Sequence, residues 1–576
     1  MAPYRTGREE QPEVALPGNG LVGDMVRQFA DPYAFLRELA QNSMDAGATR
    51  VDVRVELAPD GVVITSVADD GSGMSRELVE GPLLTLFSSS KEGDSGKIGK
   101  YGVGFVSVFA IAPEAVEVET WRDGQAWRLV LRPDTSYELE DAGAREGSGT
   151  RVSLIQRMEG ADFAAHVRRA GAALRRWCRH ADRAIELRVV EPGVELREPE
   201  RIDAPLAVVA PASVTVSEGD LSLVVGPAAG TQHLDVPLVE GDPEVAPRFA
   251  GFYNRGLTLF ETVDEAFAGL GRVRFKVMCR RFQHTLSRDN VRRDEAFREA
   301  LGRVREAVRG PLRREIAARL GPAAAEAAAG RGLGAYLGLV EAAVTEPTEL
   351  SPEEIPFPLA HPLGGRAAAA DLGSLVGWRA PLLVAEAPGA ISAALAQQGT
   401  PVVLAPVRAL RLLLQRCYLK RRLAEAREEY VLVSELDDVQ RDGDAALVKA
   451  LARALARAGR EVSRIAMSRV EGALSERAGL LLPEPEGPGP QILDAAEVSR
   501  RTSRWRATDV LHLDIDSTTV LRARRCAEKE PAAAAALLAR ALLLDAQGTI
   551  GEDESDRLLD LRLDLRLDLR EAGRRA

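Results

Sequence analysis

A chain of 576 residues is too long for one hydrophobic core and predicts roughly three or four domains. Hydrophobic residues at 45% and charged residues at 28% match ordinary globular proteins and exclude wholesale disorder. A net charge of −11 gives no global basic field and argues against nucleic acid as a partner. The four cysteines, Cys178, Cys279, Cys417 and Cys526, have no CxxC spacing, which excludes a disulfide scaffold and fits a reducing compartment. The six histidines show no metal-ligand spacing. The opening twenty residues lack the apolar stretch of a secretory leader, and no uncharged apolar run nears the ~20 residues of a membrane span. A cytoplasmic location away from membranes is expected.

The first predicted element is "RELAQNSMDAG", residues 37–47. As a helix it puts Glu38, Asn42 and Asp45 at i, i+4 and i+7 on one face, while Phe35, Leu36 and Leu39 supply apolar contacts. Next, "ATRVDVRVEL" alternates Val51, Val53, Val55 and Leu57 with Asp52, Arg54 and Glu56, the period of a half-buried strand. Asp60-Gly61 turns the chain into "VVITSVADD". Further strands are expected at "AVEVETW", "AWRLVLR" and "GTRVSLI", with a turn at Asp123-Gly124. Residues 1–158 therefore form a first domain of helices on a mostly antiparallel sheet.

A second region, 159–325, opens with the basic helix "HVRRAGAALRRWCRH" and closes with one long helix, "DEAFREALGRVREAVRGPLRREIAARL". A third, 326–430, holds an Ala-rich helix, a Pro-rich break and a strand–helix–strand unit, "APLLVAE…ISAALAQQ…PVVLAP". The last, 431–576, includes the helix "EPAAAAALLARALLL" and ends in "LLDLRLDLRLDLR", whose Leu/charge alternation receives no function.

Three glycine-bearing elements follow the opening helix in order: "DDGSGM" (69–74), "GKYGVGF" (99–105) and "GSGT" (147–150). Singly each is an ordinary turn signal. No GxxxxGK[ST] occurs, and no parallel βαβ unit surrounds the glycines, so neither a Walker loop nor a dinucleotide fingerprint is present. Together with ExxxN they resemble the GHKL superfamily of ATPases, shared by the ATP-binding half of DNA gyrase, histidine kinases, MutL-type proteins and the 90-kDa heat-shock chaperones. The matching positions are Glu38/Asn42, Asp69/Gly71/Gly73, Gly99/Gly102/Gly104 and Gly149/Thr150.

The resemblance implies ATP and Mg²⁺ as ligands and gives each position a task. Asn42 offers one neutral oxygen to Mg²⁺, which keeps most of its waters. Glu38, one turn away, polarises the attacking water. Asp69 accepts from the adenine amino group, Gly71 and Gly73 let the backbone pass beneath the base, Met74 walls it, and Thr150 assists. Gly99, Gly102 and Gly104, with Val103 and Phe105 beside them, open the helix "VGFVSVFAI" toward phosphate. The segment between Met74 and Gly99 is the place of a lid, and Lys91 is a candidate phosphate contact. Asp45 is expected to serve the helix end.

Within the superfamily, "FYNRGLTLFETVDEAFAGLGRVRFKVMCRRFQHTLSRDNV" resembles the middle domain of the 90-kDa chaperones, with Arg288 of "TLSRDNV" matching the arginine that reaches the γ-phosphate. The implied fold is α+β and multidomain: a GHKL (Bergerat) α/β sandwich, an α/β middle domain and a mainly helical C-terminal dimerisation domain. The implied protein is a bacterial HtpG-like chaperone, a homodimer acting on unfolded client proteins; no MEEVD-like ending is seen. "NSMDAGAT" and "SSSK" point instead to a MutL- or MORC-like DNA-associated ATPase, and a nucleotide-binding regulator with negligible turnover is a further alternative.

Overall fold

The computed structural model describes residues 31–83, 104–134, 136–194, 198–228, 243–264, 267–283, 290–360, 366–368, 380–417, 422–436, 442–487 and 489–550. The chain divides into two compact units. The first holds the described residues up to Glu315 together with Thr345–Thr348; the second holds described residues 316–344 and 349–550.

The first unit begins with helix α1 (Ala34–Asp45). An eight-stranded sheet follows: β1 (Arg50–Leu57), β2 (Val62–Asp69), β3 (Ala115–Arg122), β4 (Gln125–Leu131), β5 (Tyr137–Ala144), β6 (Gly149–Arg157), β7 (Ala184–Val190) and β8 (Glu200–Arg201). Its spatial order is β5-β4-β3-β6-β2-β1-β7-β8. All pairings are antiparallel except β1 with β7, because helix α2 (Gly160–Cys178) carries the chain across before β7. The alternation in β1 is realised as read: Val51, Val53 and Val55 are buried in the core, while Arg50 pairs with Asp52 and Arg54 with Glu56 on the other face. Asp123 and Gly124 both have positive φ, so the β3–β4 hairpin closes in the two-residue turn that its Asp-Gly pair predicts.

Helices α1 and α2 share the core of this sheet, with Phe35, Leu36, Leu39 and Met44 from α1 and Phe163, Ala170, Leu174 and Cys178 from α2. Each large apolar side chain among them contributes about 1.5–3 kcal/mol on burial. A buried hydrogen-bonded chain pins the start of α1 to the sheet: the Tyr33 hydroxyl is 2.8 Å from His166 Nδ1, and His166 Nε2 is 2.7 Å from Thr65 Oγ1.

The same unit holds a five-stranded sheet, β9 (Val214–Glu218), β10 (Leu221–Pro227), β11 (Phe249–Asn254), β12 (Leu257–Thr262) and β13 (Val273–Cys279), ordered β12-β11-β13-β10-β9. Phe252 centres its core, meeting Phe275, Phe282 and Phe297 at ring separations of 4.9–5.8 Å. Lys276 of β13, 1% exposed, is 2.8 Å from both Glu244 Oε1 and His180 Nε2. The single helix expected over 294–320 is broken. Helix α3 (Glu295–Ala307) gives way to a π turn, Val308–Leu312, before helix Arg313–Ala328. Pro311 lies in that turn; lacking an N–H, it cannot continue the i→i−4 ladder.

In the second unit the strand–helix–strand reading holds: Leu382–Ala385 and Val402–Leu404 are parallel neighbours joined by helix Ala390–Gln397. From Tyr430 onward the expected helices are present, and a five-stranded sheet accompanies them, formed by Tyr430–Glu435, Arg464–Gly472, Gly479–Pro483, Gln491–Asp494 and Asp509–Asp514. Leu511 and Leu513 pack under helices Asp442–Arg457, Thr518–Ala527 and Pro531–Gln547. A second cluster of the same sheet, with Val431 and Leu480, meets Val498 of helix Ala495–Thr502. The Leu/charge tail lies outside the described residues.

Candidate functional site

The site forms where α1 ends, β2 ends and β6 begins. Glu38 is 5% exposed within α1, while Asn42, one turn on, is exposed. The polar ExxxN face thus straddles the helix edge, with the acid inside and the amide at the surface. Arg37 packs its guanidinium 4.9 Å from the Trp177 ring, fixing the rotation of α1 against α2.

Asp69 is the last residue of β2 and pairs in register with Thr150 at the start of β6. Its Oδ2 is 2.9 Å from the Ser43 hydroxyl, which also lies 3.0 Å from Leu39 O, and its Oδ1 accepts from the Gly71 N–H at 2.9 Å. A carboxylate has about four acceptor positions; Ser43, Gly71 and the Thr150 backbone N–H take up three, which leaves one position for which an exocyclic amine is a suitable donor. Burial raises the Asp69 pKa above the ordinary aspartate value, opposed by the Gly71 and Ser43 hydrogen bonds.

Ser43 and Thr120 are site residues that sequence reasoning missed. Ser43 ties α1 to Asp69. Thr120, at the end of β3, accepts the Met74 N–H at 2.8 Å and sits 3.2 Å from Thr150 Oγ1. Lone hydroxyls in a helix and a strand carry no spacing signal, although Ser43 could have been found as the residue next to Asn42. The loop 70–74 is drawn onto α1 by Ser72 N–H donating to Ala46 O at 2.9 Å. Gly71 is needed there because a Cβ would come within 2.9 Å of Ala46 Cβ. Gly73 has φ of +62°, and a Cβ would overlap the Trp121 carbonyl oxygen.

Gly104 and Phe105 are buried at the head of a 3₁₀ helix, Phe105–Ile111, where an α-helix was expected. Apolar side chains on nearly every position there set no 3.6 period, and the Ser107 hydroxyl bonds back to Gly104 O at 2.6 Å. Arg288, Lys91, Gly99, Gly102 and Val103 lie outside the described residues. Among the described residues no group of three or more His, Cys, Asp or Glu could hold a metal. Asp45 bonds Arg255 at 2.8 Å, a helix-end role as expected.

Residues 33–145 match the family described as histidine kinase-, DNA gyrase B-, and HSP90-like ATPase. That stretch contains Glu38, Asn42 and the Asp69 loop and stops short of Thr150. The chain is 34% identical over 172 residues to the chaperone protein HtpG of Chlorobaculum tepidum, covering 24% of this chain and 27% of that protein. It is 31% identical over 195 residues to HtpG of Methylorubrum populi (28% and 31%), and 32% identical over 191 residues to HtpG of Methylococcus capsulatus (28% and 30%). The matched stretch spans less than a third of these relatives' length. Residues 33–145 are thus similar to GHKL-type ATPase domains, and part of the chain is similar to the HtpG chaperones.

Proposed function

We propose that this GHKL-type domain hydrolyses ATP and that the whole chain is a molecular chaperone of the 90-kDa heat-shock type, a cytoplasmic homodimer that clamps unfolded client proteins. The observation that carries the reading is the Ser43–Asp69 bond, which joins a base-reading carboxylate to the helix bearing Glu38 and Asn42. A base held at Asp69 therefore has a fixed relation to the groups assigned to the triphosphate.

In this reading Asp69 selects adenine by accepting from its amino group, which guanine lacks at that position. Met74 lies against the base, and Thr150 and Thr120 hold the loop beneath it. Asn42 would hold Mg²⁺, which when bound with the triphosphate offsets its charge. Glu38, shielded from bulk water, orients a water toward the γ-phosphate and takes up its proton. Arg288 serves as the cation that neutralises the transferring phosphoryl group, and Lys91 with the glycines at 99, 102 and 104 cradles phosphate. The four cysteines are free thiols, which suits a reducing compartment. No helix among the described residues is long and apolar enough to cross a membrane.

Steady-state ATPase of the full chain with unfolded protein, with duplex DNA and with neither tests this reading. Stimulation by unfolded protein alone is expected; stimulation by DNA alone would transfer the assignment to the MutL- or MORC-like reading. Glu38→Ala should still bind ATP but hydrolyse it at least ~10²-fold more slowly. Wild-type turnover in that variant would remove Glu38 from the chemistry.

A further inference from the structure

We infer that Arg255, on the turn between β11 and β12, is a positioning residue for catalysis: it caps the C-terminal end of α1 from the second sheet and so sets the pose of Glu38 and Asn42, an inference that rests on the ATPase reading of α1. Helix α1 has no basic residue in its last turn, yet Asp45 adds a carboxylate where the helix dipole is already negative. Arg255 supplies the missing cation. Its Nη1 is 2.8 Å from Asp45 Oδ1 and 3.5 Å from Met44 O. Asp45 is three residues beyond Asn42 on the same helix, so a shift at this end is transmitted along the rigid helix to both groups.

The turn that presents Arg255 is itself held on three sides. A Cβ at Gly256, φ +80°, would overlap the His180 carbonyl oxygen at the end of α2. The Asp182 N–H donates to Arg255 O at 3.1 Å. The Asn254 side chain donates to Phe282 O at 2.8 Å and Arg280 O at 3.3 Å, beyond the end of β13. Arg255 adopts φ of 49°, a left-handed backbone that Gly or Asn occupies with less strain. The contact made by its guanidinium accounts for an arginine at that place. Both partners are about half exposed, at 44% and 50%, so the pair adds little to stability. An effect on turnover out of proportion to stability is therefore the mark of a positional role.

The test compares full-length wild type with Arg255→Asn, which suits the left-handed backbone, and Arg255→Lys, which keeps the charge. Three quantities are measured: kcat, equilibrium ATP affinity, and amide exchange over residues 42–46 without nucleotide. Arg255→Asn should lower kcat about tenfold with affinity changed less than about twofold, speed exchange at 42–46, and shift Tm by less than about 2 °C. Arg255→Lys should recover most of the turnover. Wild-type kcat in Arg255→Asn, or affinity and Tm falling together with kcat, overturns the inference. If the wild-type chain binds ATP without hydrolysing it, the proposed function fails and exchange alone decides: faster exchange at 42–46 supports the capping role and unchanged exchange overturns it.

Discussion

Asp69 shows how one residue carries several demands. It must accept from Ser43 and Gly71 to hold α1 and its own loop together, and in the proposed function it must also accept from the base. Asn at this position separates the two. Its oxygen can keep the Gly71 bond, and its amide can donate to Ser43 Oγ, whose hydroxyl still reaches Leu39 O; an amide nitrogen cannot accept from an exocyclic amine. Asp69→Asn is therefore expected to fold with near-normal stability and to lose ATP affinity by about 10–10²-fold, since a polar group left facing a wrong partner costs about 1–3 kcal/mol. Isothermal titration with ATP checks this; undiminished binding would take base recognition away from Asp69. Glu38, Asn42 and Asp69 could be picked out as candidates because their spacing follows a known pattern. Ser43 and Thr120 were not, because a hydroxyl shows its purpose only once its partner, 26 or 46 residues away, is beside it.

Among the elements, the 70–74 loop is the one most constrained by its surroundings. Gly73 combines a left-handed backbone with direct backbone contact at Trp121, whereas Gly61, in the β1–β2 hairpin at φ +80°, would place a Cβ 3.6 Å from Met158 O. Gly61→Ala meets only the left-handed strain of about 1 kcal/mol. Gly73→Ala adds a backbone overlap that nothing flexible can relieve, and a loss of about 3 kcal/mol or more is expected. Thermal denaturation of the two variants side by side should show the larger fall for Gly73; equal falls would mean that the loop rearranges freely. The strands β1 and β2 and both hairpin turns could be read from alternation and Asp-Gly pairs, which are local. The 3₁₀ form of 105–111 could not, because packing on all sides overrides periodicity; Pro311 was a readable breaker, but proline alone did not say where the helix would yield, since Pro322 sits inside helix Arg313–Ala328.

At the scale of the whole molecule, the three buried histidines among the described residues tie stability to pH. Burial lowers the pKa of His166, His180 and His512 from 6.5 to about 4, with the Lys276 charge adding to the effect at His180 and Glu435 opposing it at His512. Between these values the unfolded chain binds more protons than the folded one. Their contribution is therefore complete above about pH 6.5 and is lost as pH falls toward 4. His166→Gln, which can still bridge the Tyr33 and Thr65 hydroxyls, should reduce the pH slope of the unfolding free energy near pH 5 by up to about 1.4 kcal/mol per unit. Urea unfolding at several pH values, followed by tryptophan fluorescence, measures that slope; an identical slope in variant and wild type would mean that His166 is not held neutral. By itself the sequence determined the class of the first domain, the strands with period two and the order of the nucleotide motifs, since each depends on residues close together in the chain or on a recurring pattern. Only the tertiary structure decided that Ser43 joins Asp69 to α1, that Arg255 reaches Asp45 across 210 residues, and that a sheet runs beneath the C-terminal helices. Those outcomes depend on which surfaces meet when the chain closes on itself, and no local spacing encodes that.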